Sequence, residues 1–301
     1  MKIGLLTDAP HHNLALMKLS TWHKAQGDEI YLKQPLMPVD KTYASILFSW
    51  NLFQYSADEY GGIQYPEVCL PRHIEWQMPD YELFNLDYSL GYTYRPCFRK
   101  CDFCLVKTLK HPDKRHHSIH KFHNPAFKKI CILNNNWLLD PLWKETFEEV
   151  WESDLTVIEH GFDLRLINKE KADAIKKTKF EGKIHFAWDR MRDEQEIREG
   201  LEYIKDYNFN ARFYVLAGYD TTIEQDIYRC QVLADYGHEM FIMLYKTGEL
   251  LDKLKTYINT FVYWHYRKEM WKGFEEYLKG NYHPDCKRQN KSVGSESEAL
   301  W

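Results

Sequence analysis

The chain has little that would tie it to a membrane, to secretion or to a polyanion. No apolar run approaches the roughly 20 residues that a membrane-spanning helix needs. The opening apolar stretch is interrupted by Asp8, too early for the core of a signal peptide. Charge is nearly balanced, 40 Lys and Arg against 44 Asp and Glu for a net −4, so bulk electrostatics does not call for nucleic acid or anionic lipid. Cysteine is scarce and odd in number, seven in 301 residues; Cys69, Cys131, Cys230 and Cys286 are scattered, which is no disulfide framework. These absences point to a protein of the reducing cytoplasm with no membrane partner. What is plentiful is apolar surface: 44% hydrophobic residues allow a substantial core in one large domain or two modest ones. The aromatic share, 16%, suits either a cleft for planar ligands or an aromatic-rich core.

The other three cysteines lie together. Between Gly91 and Leu105, Cys97, Cys101 and Cys104 are spaced C-x3-C-x2-C, so three thiolates of one tight loop can meet a single inorganic centre. A structural zinc or an electron-transfer cluster normally takes four protein ligands, and a site with three leaves a metal position open for chemistry. Arg99 and Lys100 lie inside the loop, where positive charge lowers thiol pKa and offsets a thiolate-ligated cluster. A zinc knuckle completed by His111 or His116 is the alternative reading of the same loop.

Strand-like apolar runs alternate with helical patterns through the rest of the chain. Ile3 to Leu6, a helix from Asn13 to Gln26 closed by Gly27, and Glu29 to Lys33 open a small α/β unit; Asn13 is a candidate N-cap and Gly27 a candidate C′ residue. Another strand is expected over Ser45 to Ser49, and a linker from Met78 leads to a strand over Tyr88 to Tyr94 that delivers the chain into the cysteine loop. Further strands are expected over Lys129 to Leu133, Thr156 to His160, Lys183 to Trp188, Ala211 to Leu216 and Met240 to Tyr245, with helices between them. Counted from the loop strand, this makes about six strand-helix units, the signature of parallel strands wrapped by helices.

The cysteine loop resembles the signature of the radical S-adenosylmethionine (SAM) superfamily. The resemblance implies a partial (β/α)6 barrel, similar to a TIM barrel, in which the three cysteines bind a [4Fe-4S] cluster and SAM chelates the fourth iron. It implies an enzyme that cleaves SAM reductively to a 5′-deoxyadenosyl radical, with an external electron donor of flavodoxin or ferredoxin type. The aromatic residue before the third cysteine, near the adenine in that family, is here Phe103. Where the family carries a Gly-Gly-Glu-like motif for the SAM amino group, this chain has Asn134, Asn135 and Asn136, whose amide oxygens can accept from an ammonium. Asp189 stands where a carboxylate suits the ribose hydroxyls. The run ending in Gly218, followed by Thr222 and Glu224, is similar to the fifth-strand region of methylthiotransferases and cobalamin-dependent radical enzymes. Tyr245 and Lys246 are candidates for the adenine edge or the substrate. Asp163 and Arg165 alternate on one face of an extended segment, as a clamp on the ligand or as an internal ion pair.

The expected organisation is a Rossmann-like α/β domain over 1–85, the barrel over 86–250, an aromatic and basic helical region over 251–282 and a disordered tail over 283–301. The first domain weakly resembles a cobalamin-binding domain, though the D-x-H-x-x-G pattern is missing; it binds cobalamin, with methyl transfer as the outcome, or it caps the barrel. Lys107 to Lys129 holds seven Lys or Arg, five histidines and one acid, a stretch that steers an anionic metabolite or RNA, or is a solvated loop. Tyr257, Tyr263, Trp264, Tyr266, Trp271 and Tyr277, with Lys255, Arg267, Lys268 and Lys272 among them, bind nucleic acid or plug the barrel's open side.

Overall fold

The computed structural model describes residues 1–33, 38–110, 113–158, 161–261 and 268–281. The chain divides into two compact units, Met1–Ile158 and Glu159–Trp301.

The first unit opens with β1 (Lys2–Thr7), α1 (Leu14–Ala25), β2 (Glu29–Leu32), β3 (Lys41–Ser45) and β4 (Glu59–Gly61). All pairings are parallel and the strand order is β2-β1-β3-β4. The local signals act as read: the Asn13 side chain accepts from the Leu16 N–H at 3.2 Å, and Gly27 takes φ +80° just beyond the helix. Helix α1 is apolar on two sides because it serves two cores. Leu16 and Leu19 pack with Ile3, Leu5, Tyr43 and Ile74, whereas Met17 packs with Tyr81, Leu90 and Cys131.

The second of these cores lies against another parallel sheet, β5 (Ser89–Gly91), β6 (Lys129–Ile132) and β7 (Thr156–Ile158), in that order. The short α2 (Arg72–Glu75) precedes it, and α3 (Trp143–Glu152) connects β6 to β7. Gly91 is required at the end of β5, because a Cβ there would stand 2.3 Å from Phe122 Cγ.

Two strand limits differ from the sequence expectation, for the same physical reason. The strand expected over Ser45 to Ser49 is instead Lys41–Ser45. Asp8 takes the N–H groups of Leu47 and Phe48 at 2.8 and 2.9 Å, so the chain turns into a 3-10 turn at Ser49–Asn51. Strand β5 stops at Gly91 because the next amides, at Thr93 and Tyr94, donate to Asn134 instead of to a neighbouring strand.

The second unit runs α4 (Lys169–Lys177), β8 (Lys179–Phe180), β9 (Ile184–Ala187), α5 (Glu194–Ile204), β10 (Ala211–Ala217), α6 (Ile223–Asp235), β11 (Glu239–Leu244), α7 (Glu249–Thr256) and α8 (Met270–Leu278). Strands β9, β10 and β11 form a parallel sheet in that order. Helix α5 buries Ile197, Leu201 and Ile204, the i, i+4, i+7 stripe of an amphipathic helix. Helix α6 starts with a capping box between Thr222 and Gln225.

The C-terminal helical region is in pieces. After α7 a π turn spans Tyr257–Phe261, and there the Asn259 side chain pairs with both backbone groups of Ile242, 2.7 Å to the N–H and 3.1 Å to the carbonyl. A carboxamide thus satisfies one residue of strand β11. Tyr257 and Phe274 are buried, with ring centroids 5.5 Å apart, so part of the aromatic excess is core; Trp271 is exposed. Tyr263, Trp264, Tyr266 and Arg267, Cys286 and the tail over 283–301 lie outside the described residues. No helix of the described residues is long and apolar enough to cross a membrane.

Candidate active site

The cysteine loop leaves the carboxyl end of β5, the end where ligands gather in parallel α/β sheets. Its entry is pinned by β6. Just beyond β6, Asn134 Oδ1 accepts the N–H groups of Thr93 and Tyr94, both at 2.9 Å, and its Nδ2 donates to Thr93 Oγ1 at 2.7 Å. Thr146 of α3 closes on the same hydroxyl at 3.1 Å, and Asn135 donates to the Arg95 carbonyl. Asn134 and Asn136 are buried. The carboxamide of Asn134, a candidate for the SAM amino group, is therefore committed to holding the loop's entry.

Inside the loop, Lys100 adopts φ +48° and the Cys104 N–H donates to the Cys101 carbonyl at 3.1 Å, a tight turn that keeps the three cysteines on one short arc. Cys97, Cys101, Cys104 and Phe103 are half-buried. Among the described residues no three His, Cys, Asp or Glu side chains are gathered as they would be around one ion. The donor set, three thiols of one loop beside Arg99 and Lys100, fits a cluster chemically.

The histidine-rich stretch beside the loop is less solvated than its composition suggests. His116 Nδ1 lies 2.7 Å from Asp140 Oδ2, both groups buried. Burial pulls the His116 pKa down, but the Asp140 hydrogen bond and the charges of Asp140, Glu145 and Glu149 outweigh it and raise it overall. His111, the other zinc candidate, lies outside the described residues. His123 is buried against Ser89 Oγ at 2.9 Å, and burial lowers its pKa.

Within the second unit the strand ends carry a different chemistry. Asp163, Arg165, Arg190 and Asp193 form a chain of ion pairs: Arg165 reaches Asp163 and Asp193, each at 2.7 Å, and Arg190 clasps Asp193 at 2.9 Å. The two residues read as a clamp or an ion pair are thus partners of each other. Arg229, on α6 and fully buried, donates to the Trp188 carbonyl and, at 2.7 Å, to the Leu216 carbonyl, and pairs with Asp226. It ties the carboxyl end of β9 to that of β10. Sequence reading missed Arg229; its signal was a charged i, i+3 pair on the face of α6 that also buries Ile227, Cys230 and Leu233.

Asp189, directly after Trp188, is the exception. It is half-buried and has no hydrogen bond or ion pair among the described residues. Burial pushes its pKa up to about 6, against the pull of Arg229 and Arg165 and with the push of Asp163 and Asp193. Gly218 follows β10 with φ +75°, and a Cβ there would lie 2.7 Å from Leu251 Cδ1. Tyr245, half exposed, follows β11 with its ring edge-on to Tyr219 at 4.8 Å.

No family model and no curated protein matches the chain. Solved structures of SuiB from Streptococcus suis are distantly similar. SuiB bound to S-adenosylmethionine aligns at TM-score 0.40 and 12% identity over 64% of this chain and 48% of that one. SuiB bound to the precursor peptide SuiA aligns at 0.37 and 14%, covering 64% and 46%. A third SuiB structure gives 0.38, 12%, 64% and 46%. The chain spans about half the length of these structures, and likenesses this distant carry no argument about its ligands.

Proposed function

We propose that the chain is a radical SAM enzyme that holds a [4Fe-4S] cluster on Cys97, Cys101 and Cys104. The observation that carries the reading is the C-x3-C-x2-C loop issuing from the carboxyl end of β5 in a parallel sheet, with its entry fixed by Asn134. When bound, the cluster supplies the electron that cleaves SAM reductively, and a flavodoxin or ferredoxin is the proposed donor. The chain's own residues orient and shield. Arg99 and Lys100 offset the negative charge of the thiolate loop. Phe103 offers its ring to the adenine. Asp189, with no hydrogen bond or ion pair among the described residues, offers its carboxylate to the ribose hydroxyls, and Gly218 and Tyr245 follow other strands of the second unit. The strand-helix succession from β5 to β11 supports the reading as a partial (β/α)6 barrel.

Cobalamin does not fit. At the carboxyl end of the first sheet Asp8 gives both carboxylate oxygens to Leu47, Phe48 and Asn51, and Thr7, Asn13 and Ser45 bond one another. The reaction proposed is therefore abstraction of hydrogen from a substrate C–H bond, with no methyl transfer through a corrin.

Anaerobic reconstitution followed by metal analysis tests the cluster. The account expects about four iron and four sulfide per chain, with most of both lost in Cys101→Ala. Stoichiometric zinc in place of iron, or equal iron loading of Cys101→Ala, would sink it.

A further inference from the structure

The first unit contains a small solvent-open cleft, lined by residues of α1, α2, the loop entry and the histidine-rich stretch. Its floor holds two cations on one acid. Lys18 Nζ lies 2.8 Å from Glu75 Oε1, Arg95 Nη2 donates to the same oxygen, and Lys18 and Glu75 are both buried. One buried carboxylate cannot neutralise two cations, and a buried charge without compensation is costly. At the wall Arg115 is already answered by Asp113, whereas Lys121, on the rim, has no ion pair among the described residues. Two of these cations therefore have no counter-charge among the described residues.

The geometry is suited to an oxyanion. Lys18 uses one of its three N–H groups on Glu75 and Arg95 one of its five, so both have donors to spare beside one another. The Arg95 guanidinium is held over the Tyr92 ring at 4.3 Å, and the Trp76 and His117 rings, 4.2 Å apart, form an aromatic wall. Few polar groups converging between aromatic walls is the make-up of a small-molecule site. We infer that this cleft binds a small anionic ligand, its carboxylate or phosphate group taken by Arg95 and Lys18 with Lys121 at the entrance. The binding does not require the cluster, so it stands or falls separately from the proposed reaction.

Calorimetric titration of the full-length chain with inorganic phosphate, with benzoate and with benzylamine as the cationic control tests it. Binding of phosphate alone identifies a phosphate site, and binding of benzoate identifies a carboxylate site with the aromatic wall engaged; benzylamine should give no heat of binding. Arg95→Gln should weaken the bound anion by about tenfold or more. Lys121→Gln, a surface change that leaves folding intact, should weaken it by about twofold. Glu75→Gln, which removes the competing carboxylate, should tighten it. Failure of the folded chain to bind either anion at millimolar concentration overturns the inference. So does an affinity unchanged in both Lys121→Gln and a folded Arg95→Gln.

Discussion

Carboxylates and amides at the strand ends of the two units do two kinds of work, and Asp189 of the second unit stands apart from Asp8 and Asn134 of the first. In the first unit Asp8 and Asn134 are bound to backbone amides, at Leu47 and Phe48 and at Thr93 and Tyr94, and each ends a strand by capturing its next N–H groups. In the second unit Asp189 makes no hydrogen bond or ion pair among the described residues, and burial raises its pKa to about 6. Side chains that pay their desolvation with hydrogen bonds stabilise the fold; one that does not is held at a cost and is the better candidate for a ligand. The contrast separates scaffold from candidate ligand group among residues that look alike in the sequence.

Substitutions can break this contrast. The largest effect is expected for Arg229→Met, which strands Asp226 and two strand-end carbonyls in the interior: a loss of about 4 kcal/mol, read from denaturant unfolding. Asn134→Leu should cost about 3 kcal/mol, because the amides of Thr93 and Tyr94 are left buried without an acceptor. It should also loosen the loop, seen as faster proteolysis near Cys97.

Asp189→Asn should do the reverse and stabilise the protein at pH 7 by about 2 kcal/mol. The sign follows from the raised pKa. The folded chain keeps a proton that the unfolded chain has released, so stability falls as pH rises from about 4, the ordinary Asp value, to the folded value of about 6. Below that window the wild type and Asp189→Asn should be equally stable, and above it the gap should be complete; unfolding curves at about pH 3 and about pH 7 measure it. If Asp189 holds ribose, the same variant should raise the KM for SAM while stabilising the fold. Smallest of all, Phe53→Ser, at a side chain 98% exposed, should change stability by less than about 0.5 kcal/mol.

The sequence made legible whatever is decided within a few residues. Asn13 and Thr222 cap their helices, Gly27 closes α1, and the order of strands and helices from Lys129 to Leu244 follows the apolar periodicity. Strand ends set from a distance were not legible. Ile46, Leu47 and Phe48 look like strand, but Asp8, some forty residues earlier, holds the last two out of the ladder. The cysteine loop stands out in the sequence as a set of candidate donors because its spacing is local. The roles of Asn134 and Arg165 were not, since an amide or a guanidinium looks equally suited to a ligand and to a backbone or carboxylate partner until its neighbours are known. Lys18, Glu75 and Arg95 are far apart in the chain, and nothing in the sequence joins them.

The central claim is tested most directly by 5′-deoxyadenosine formation. Anaerobically reconstituted wild type, given dithionite and SAM, should release 5′-deoxyadenosine, and Cys101→Ala under the same conditions should release none above background. Equal release by the two proteins, or none from a wild type that carries its full iron and sulfide, would contradict the account.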